Sequence, residues 1–208
     1  PITALPAGSN TFSVNINNVN GGVDNNNINN NMTSKFVIVG TYAPAPITQD
    51  FQTATFPPTN WILVNPDGGA ATWSRVTTAG GFGASTSSAK YPFYTSAAGD
   101  MDDLYLPPMS LSAITTPKLT FDVAYAQYST ENDQLDVMVS TNCGSTWTNV
   151  YTKSGSTLST APAATAAFVP TGAQWRNEIV NLSAFASAAQ VLVKFVATSA
   201  YGNNMYID

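Results

Sequence analysis

The sequence predicts an all-β fold, an antiparallel β-sandwich, and three observations carry that prediction. Lys118 to Tyr125 and Leu135 to Val139 alternate apolar and polar residues with a period of two, the spacing of a strand that buries one face. Clusters of Gly, Asn, Asp and Pro interrupt such runs at short intervals, as they do where many short strands are joined by turns. Only 9% of the residues are charged while 44% are hydrophobic. The polar remainder is mostly Asn, Thr, Ser and Gly, which suit strands and turns better than helices. At 208 residues the chain has apolar material for one full core, or one core and a fragment of another.

The stretch from Lys118 to Thr148 is the middle of the expected fold. Leu119, Phe121, Val123 and Tyr125 form one row against Lys118, Thr120, Asp122 and Ala124. Leu135, Val137 and Val139 repeat the pattern against Asp136, Met138 and Ser140. Gln127 to Asp133 is polar and rich in turn formers, so the chain reverses there and the two runs are expected at the centre of one antiparallel sheet. Ser140 to Trp147 is a tight turn in which Gly144 can take positive φ. Asn149 to Tyr151 completes that hairpin.

Residues 1–44 read as the tail of an earlier domain. Phe12, Val14 and Ile16 share a face of one strand, and Lys35 to Val39 is a second. The Asn-rich loop between them reads as a flexible tip. The alternative, a Ca²⁺ site around Asp24, is disfavoured because such sites carry several carboxylates. A lone hairpin is marginal in water, so these strands need a partner sheet. Ala43-Pro-Ala-Pro46 reads as a short stiff linker, which places the second domain at 45–208.

In that domain Ile62 to Val64, Trp73 to Val76, Ala89 to Tyr94 and a run after Asp100 are expected as short strands, with a turn at Asn65 to Gly69. Gly80 to Ser88 is glycine-rich but lacks the Gly-Lys-Thr ending and following helix of a phosphate loop. Ser154 to Ala167 is a long Ser/Thr/Ala loop. Gln174 to Leu182 and Val191 to Thr198 are strands separated by one helical turn at Ser183, and Gly202 to Asp208 closes the unit.

Several function classes fall away on composition. The net charge is −5, and the seven basic residues are scattered singly, so the clustered footprint of a nucleic-acid binder is absent. No run is long enough for a membrane span. Cys143 stands alone, which excludes a disulfide framework. There is no His, so neither a Ser-His-Asp nor a Cys-His arrangement nor a histidine-ligated zinc can form. An Asp-pair glycosidase is the catalytic class still conceivable, although most carboxylates fall in turns or outward strand positions where solvation explains them. The start at Pro1 and the stop at Asp208 inside an expected strand lead to the expectation of an excerpt from a longer polypeptide. Few lysines, many Thr and Asn and an acidic balance lead to the expectation of an extracellular surface protein.

Asp50-Phe51, Pro57 with Trp61, Asn65-Pro-Asp-Gly-Gly69 and Asp102-Asp-Leu-Tyr-Leu-Pro107 follow one another in a characteristic order. Leu119 to Tyr125, Val139 to Trp147, Trp175-Arg176 and Gly202 to Asp208 continue it. In this order and spacing the chain from about Asp50 to Asp208 resembles the cleaved-adhesin, or choice-of-anchor J, domains. These are relatives of MAM-type jelly rolls in large secreted or surface proteins of Bacteroidota. Residues 1–44 resemble the closing strands of an Ig-like, CARDB-type domain. The resemblance implies a two-sheet jelly roll serving adhesion or substrate targeting on a protein exported by the type IX machinery, with a sorting domain downstream. Ser140 to Trp147 also resembles the Asp-box pattern, with Asn142 in place of its Asp, and that motif is a fold-stabilising hairpin.

The resemblance also implies a structural Ca²⁺ that clips the ends of the jelly roll together. Asp50 and Asp208 would be its main ligands, with Asp67, Asp102 or Asp103 helping, and Gln52 stands where the family often has an acid. Without an ion, Asp67 serves its turn and Asp102-Asp103 is a solvated loop. Carbohydrate binding would use exposed rings that stack on sugars; the candidates are Trp73, Tyr91, Phe93, Tyr94, Tyr128 and Tyr201, while Trp61, Trp147 and Trp175 are expected to pack. The reading is a non-catalytic extracellular module that recognises a glycan or a host or cell-surface protein. A structural spacer, or an accessory domain targeting a hydrolase in the same chain, competes with it. If these candidate rings prove buried, the glycan reading fails.

Overall fold

The structure, a computed structural model, describes residues 5–16, 22, 26, 28 and 30–208. It divides into two units, Pro1–Val39 and Gly40–Asp208. In the first, strands β1 (Gly8–Asn15) and β2 (Asn31–Ile38) form an antiparallel hairpin in which Gly8 pairs with Ile38 and Asn15 with Asn31. The register places Phe12 and Val14 on one face with Met32 and Phe36, and all four are exposed. Asp24, the carboxylate of the alternative Ca²⁺ reading, lies outside the described residues.

The second unit is a sandwich of two five-stranded antiparallel sheets. One has the order β11 (Thr148–Ser154), β10 (Gln134–Ser140), β13 (Leu192–Thr198), β7 (Met101–Tyr105), β4 (Ile62–Val64). The other runs β12 (Arg176–Asn181), β9 (Lys118–Tyr125), β14 (Met205–Ile207), β6 (Ser88–Tyr91), β5 (Ser74–Val76). A short parallel pair joins β3 (Ala43–Pro44) to β8 (Met109–Ser110). The stretch expected as a short stiff linker begins as this strand: the Ala43 N–H donates to the Pro108 carbonyl at 2.9 Å.

β9 and β10 were expected side by side in one sheet, and they lie in opposite sheets. β9 pairs with β12 and β14, whereas β10 pairs with β11 and β13. The turn at 127–133 thus carries the chain across the sandwich, and the apolar rows of the two strands face a common core. Phe121 on β9 meets Phe195 on β13 edge-on, with ring centroids 5.0 Å apart. Trp73, Tyr91, Phe93 and Tyr125 continue the core as successive edge-to-face pairs. Each such ring contributes about 1.5–3 kcal/mol by leaving water.

The Ser/Thr/Ala-rich stretch after β11 is not a loose loop. It opens with one helical turn, α1 (Gly155–Leu158), that buries Leu158. It then crosses the outer face of the second sheet, where Phe168 and Trp175 pack on Ala124, Ala126 and Tyr206 as a second small core. The Tyr206 hydroxyl donates to the Phe168 carbonyl at 2.7 Å, and Asn203 Nδ2 donates to the Ala164 and Ala166 carbonyls at 2.8 and 2.9 Å.

Candidate functional site

Three loops meet at one end of the sandwich: the β6–β7 connection, the turn between β9 and β10, and the approach to β14. Gly99 N donates to Ser199 O at 2.7 Å and Ser199 N to Asp100 O at 2.9 Å, which joins the first loop to the third. Asp133 joins the second to the third. Its carboxylate accepts from the N–H groups of Ala200, Gly202 and Asn203 at 2.8, 3.1 and 2.8 Å, and from the Tyr125 hydroxyl at 2.8 Å. Burial pushes the Asp133 carboxyl up, and these donors hold it back.

Each of the three loops carries a tyrosine. Tyr94 and Tyr128 are half-buried and meet at 6.1 Å with their rings tilted by 65°. Tyr201 is 61% exposed with φ of 65°. Its N–H donates to Ser199 Oγ at 3.0 Å. Left-handed backbone is uncommon for a bulky residue and costs on the order of 1–3 kcal/mol. Ser129, beside Tyr128, also has positive φ, at 51°. Glu131 and the exposed Asn132 lie in the same turn.

The other ring candidates are not surface groups. Trp73, Tyr91 and Phe93 are 1%, 0% and 0% exposed, so none of them can stack on a ligand. Ala89 and Tyr91 both point inward from β6, and Trp73 Nε1 donates to the Asp102 carbonyl at 3.3 Å. Trp175 packs as expected, while Trp61 and Trp147 are half-buried. Lys194 Nζ sits 4.7 Å from the Trp147 ring centroid and 2.6 Å from Asp103 Oδ2 on the outer face of the first sheet.

The five aspartates expected around Ca²⁺ are not brought together. Asp67 caps its own turn, accepting from Gly69 N at 2.9 Å, and also accepts from Met101 N at 2.5 Å. Asp102 points into the core, fully buried, and accepts from Tyr91 Oη at 2.9 Å and Thr72 Oγ1 at 3.1 Å. Its pKa is pushed up to about 6, by burial first and then by the neighbouring charges of Asp67 and Asp103. Asp103 points the opposite way from β7 to its ion pair with Lys194. The expectation of a solvated Asp102-Asp103 loop is thus corrected as well: alternation sends one carboxylate to each face of the sheet, and both are buried.

Asp50 and Asp208 remain, and the sequence reading missed their companion. Asp208 and Asp122 exchange both backbone hydrogen bonds, at 2.8 and 3.0 Å. Gly81 N donates to Asp208 Oδ2 at 2.6 Å and Phe82 N to Asp122 Oδ2 at 3.2 Å. A Cβ at Gly81 would sit 2.8 Å from the first of these oxygens and 2.9 Å from the second, so glycine is needed where the loop meets them. Burial raises the Asp208 carboxyl, and the charges of Asp122 and Asp50 add to the effect. Asp122 was visible in the sequence only as an outward residue of β9. Among the described residues no group of three or more His, Cys, Asp or Glu is arranged to hold a metal ion. The expected ligand set therefore fits Ca²⁺ in local charge at this corner but not in coordination.

Solved structures share this architecture, among them two cleaved adhesin domains. The K3 cleaved adhesin domain of Lys-gingipain from Porphyromonas gingivalis is similar to the chain at a TM-score of 0.55 and 17% identity, over 78% of this chain and 94% of that one. The K1 cleaved adhesin domain of the same protein is similar at a TM-score of 0.50 and 16% identity, over 77% and 95%. The fold they share with the chain is an antiparallel β-sandwich. At these identities the likeness is one of fold. No family model matches the chain, and no curated protein does.

Proposed function

We propose that the sandwich is a non-catalytic extracellular recognition module that holds a glycan at its loop end, with Tyr94, Tyr128 and Tyr201 as stacking surfaces. The observation that carries this reading is Tyr201, an exposed ring kept in left-handed backbone by a loop that Asp133 fastens. Strain of that kind collects where it positions a functional group. A sugar ring offers an apolar face to tyrosine and hydroxyls to acceptors such as Glu131 and Asn132. The adhesin naming of the two similar domains supports a role in attachment. Binding of the 208-residue chain to an array of glycans, compared with Tyr201→Ala and Tyr128→Ala, tests the reading. Binding lost in both variants at unchanged melting temperature supports it, and the absence of binding favours a structural spacer.

The remaining expectations belong to the same proposal. Export by a type IX route and an Ig-like origin for residues 1–44 follow from the resemblance alone. A Ca²⁺ ion is retained only as a proposal at Asp208, whose carboxyl is raised by burial first and then by the charges of Asp122 and Asp50, although among the described residues these carboxylates are not arranged as a ligand group. An ion that binds only the folded chain raises its melting temperature with concentration. A melting temperature unchanged between Ca²⁺ and chelator removes the ion from the account.

A further inference from the structure

The three loops that meet at the end of the sandwich carry charge of one sign only. Residues 92–100, 127–133 and 199–204 contain Asp100, Glu131 and Asp133 and neither Lys nor Arg. Each tyrosine has a fixed carboxylate in or against its own loop. In the loop of Tyr94, Asp100 Oδ2 accepts from Ser96 Oγ at 3.2 Å and from Ala97 N at 2.9 Å. In the turn of Tyr128, the Glu131 N–H donates to the Tyr128 carbonyl at 3.0 Å and Glu131 Oε2 accepts from Thr130 N at 2.9 Å. Asp133 lies buried under the segment of Tyr201. The seven basic residues are all outside these loops. Lys153 and Arg176 share Glu178 Oε1, each at 2.6 Å, and Lys194 is paired with Asp103. Arg176 is tied further to the carbonyls of Leu158 and Ser159 at 3.1 and 2.8 Å, and Arg75 donates to the Gln52 carbonyl at 2.9 Å. Lys90 alternates with the inward Ala89 and Tyr91, so it points from β6 to the outer face of the second sheet. Lys118 opens β9, about 24 Å from Tyr125 at ~3.4 Å per residue, and Lys35 belongs to the hairpin of the first unit.

We infer that the loop end selects by charge: it takes an uncharged glycan terminus and rejects sugars that carry a carboxylate or a sulfate, with Glu131 as the specificity-determining residue. The inference rests on the glycan reading of the same three loops. A neutral hydroxyl donates to a carboxylate oxygen, whereas a sugar carboxylate or sulfate only accepts, and is repelled. The loops hold no Arg or Lys to form the charge-assisted pair that an acidic sugar needs in compensation. Discrimination then comes from a built-in repulsive element rather than from shape. Such rejection weakens with salt, because the screening length falls from ~10 Å at 0.1 M to ~3 Å at 1 M.

The probes are neutral oligosaccharides, each set beside its own sialylated and sulfated forms, with the 208-residue chain applied at low salt and at about 1 M salt. The neutral member is expected to bind about tenfold or more tightly than its acidic forms at low salt, and the ratio to shrink severalfold at high salt. Glu131→Gln, which keeps the shape of the side chain, is expected to narrow the low-salt ratio. Asn132→Lys, which adds a cation at the exposed neighbouring position, is expected to narrow it as well, and melting temperatures show that both variants are folded. Sialylated or sulfated forms bound as tightly as the neutral ones, through contacts that Tyr201→Ala abolishes, overturn the inference and leave the glycan reading standing. A preference for neutral forms that neither salt nor the two variants change also overturns it, because shape then does the rejecting. Binding of no glycan at all overturns the glycan reading and this inference together.

Discussion

The Tyr125 hydroxyl donates to Asp133 Oδ2 at 2.8 Å inside the loop end of the sandwich. The same carboxylate accepts from the N–H groups of Ala200, Gly202 and Asn203, so one buried anion sets the shape of the segment that presents Tyr201. Asp133→Asn keeps the volume but turns an amide N–H toward these donors. The expected loss is about 2–4 kcal/mol of stability, measured by urea unfolding. Gly202→Ala is expected to act through the same contact, because a Cβ there would collide with Asp133 Oδ2.

Lys194 and Asp103 form an ion pair at 2.6 Å that is nearly closed to solvent. Lys194→Met leaves the Asp103 carboxylate buried and unpaired, a change expected to cost about 3–5 kcal/mol. Adding Asp103→Asn to that variant is expected to restore most of the loss. Equal melting temperatures for the single and the double variant would contradict this view of the pair.

Asp102 gives the sandwich a pH dependence of known sign. Its folded pKa of about 6 lies above the ordinary value of 3.8. Below about pH 4 both folded and unfolded chains hold the proton, and the contribution of Asp102 is fully present. Between pH 4 and 6 the unfolded chain releases the proton while the folded chain keeps it, so stability falls as pH rises and levels off above 6. The span corresponds to about 2–3 kcal/mol. Asp102→Asn is expected to flatten this part of the melting profile relative to the parent chain, and an unchanged slope would contradict the assignment.

The strands were legible because period-two alternation follows directly from which side chains must leave water, as Phe121, Val123 and Tyr125 do. The partition into sheets was not legible, since β9 and β10 carry the same alternation whichever strand lies beside them. The aspartates failed for a related reason. Asp102-Asp103 looks like a solvated pair until the strand sends one residue to each layer. Among the rings, alternation with Ala89 was the signal that Tyr91 and Phe93 face inward. Tyr201 has no such signal, because its exposure depends on a loop shaped by Asp133, 68 residues earlier in the sequence.

Tyr201 also separates stability from recognition. Tyr201→Gly relieves the positive φ and is expected to stabilise the chain by up to about 1 kcal/mol. Trp73→Ala, by contrast, empties the core beside Tyr91 and is expected to cost about 3–5 kcal/mol. Chemical denaturation of both variants checks the pair of values.

The most direct test of the account is a glycan-array comparison of the parent chain with Tyr201→Gly. The account predicts saturable binding of the parent to at least one glycan class, and its loss in a variant that melts at the same or a higher temperature. Binding that survives in Tyr201→Gly would contradict the loop-end site, and a parent chain that binds no glycan would contradict the glycan reading itself.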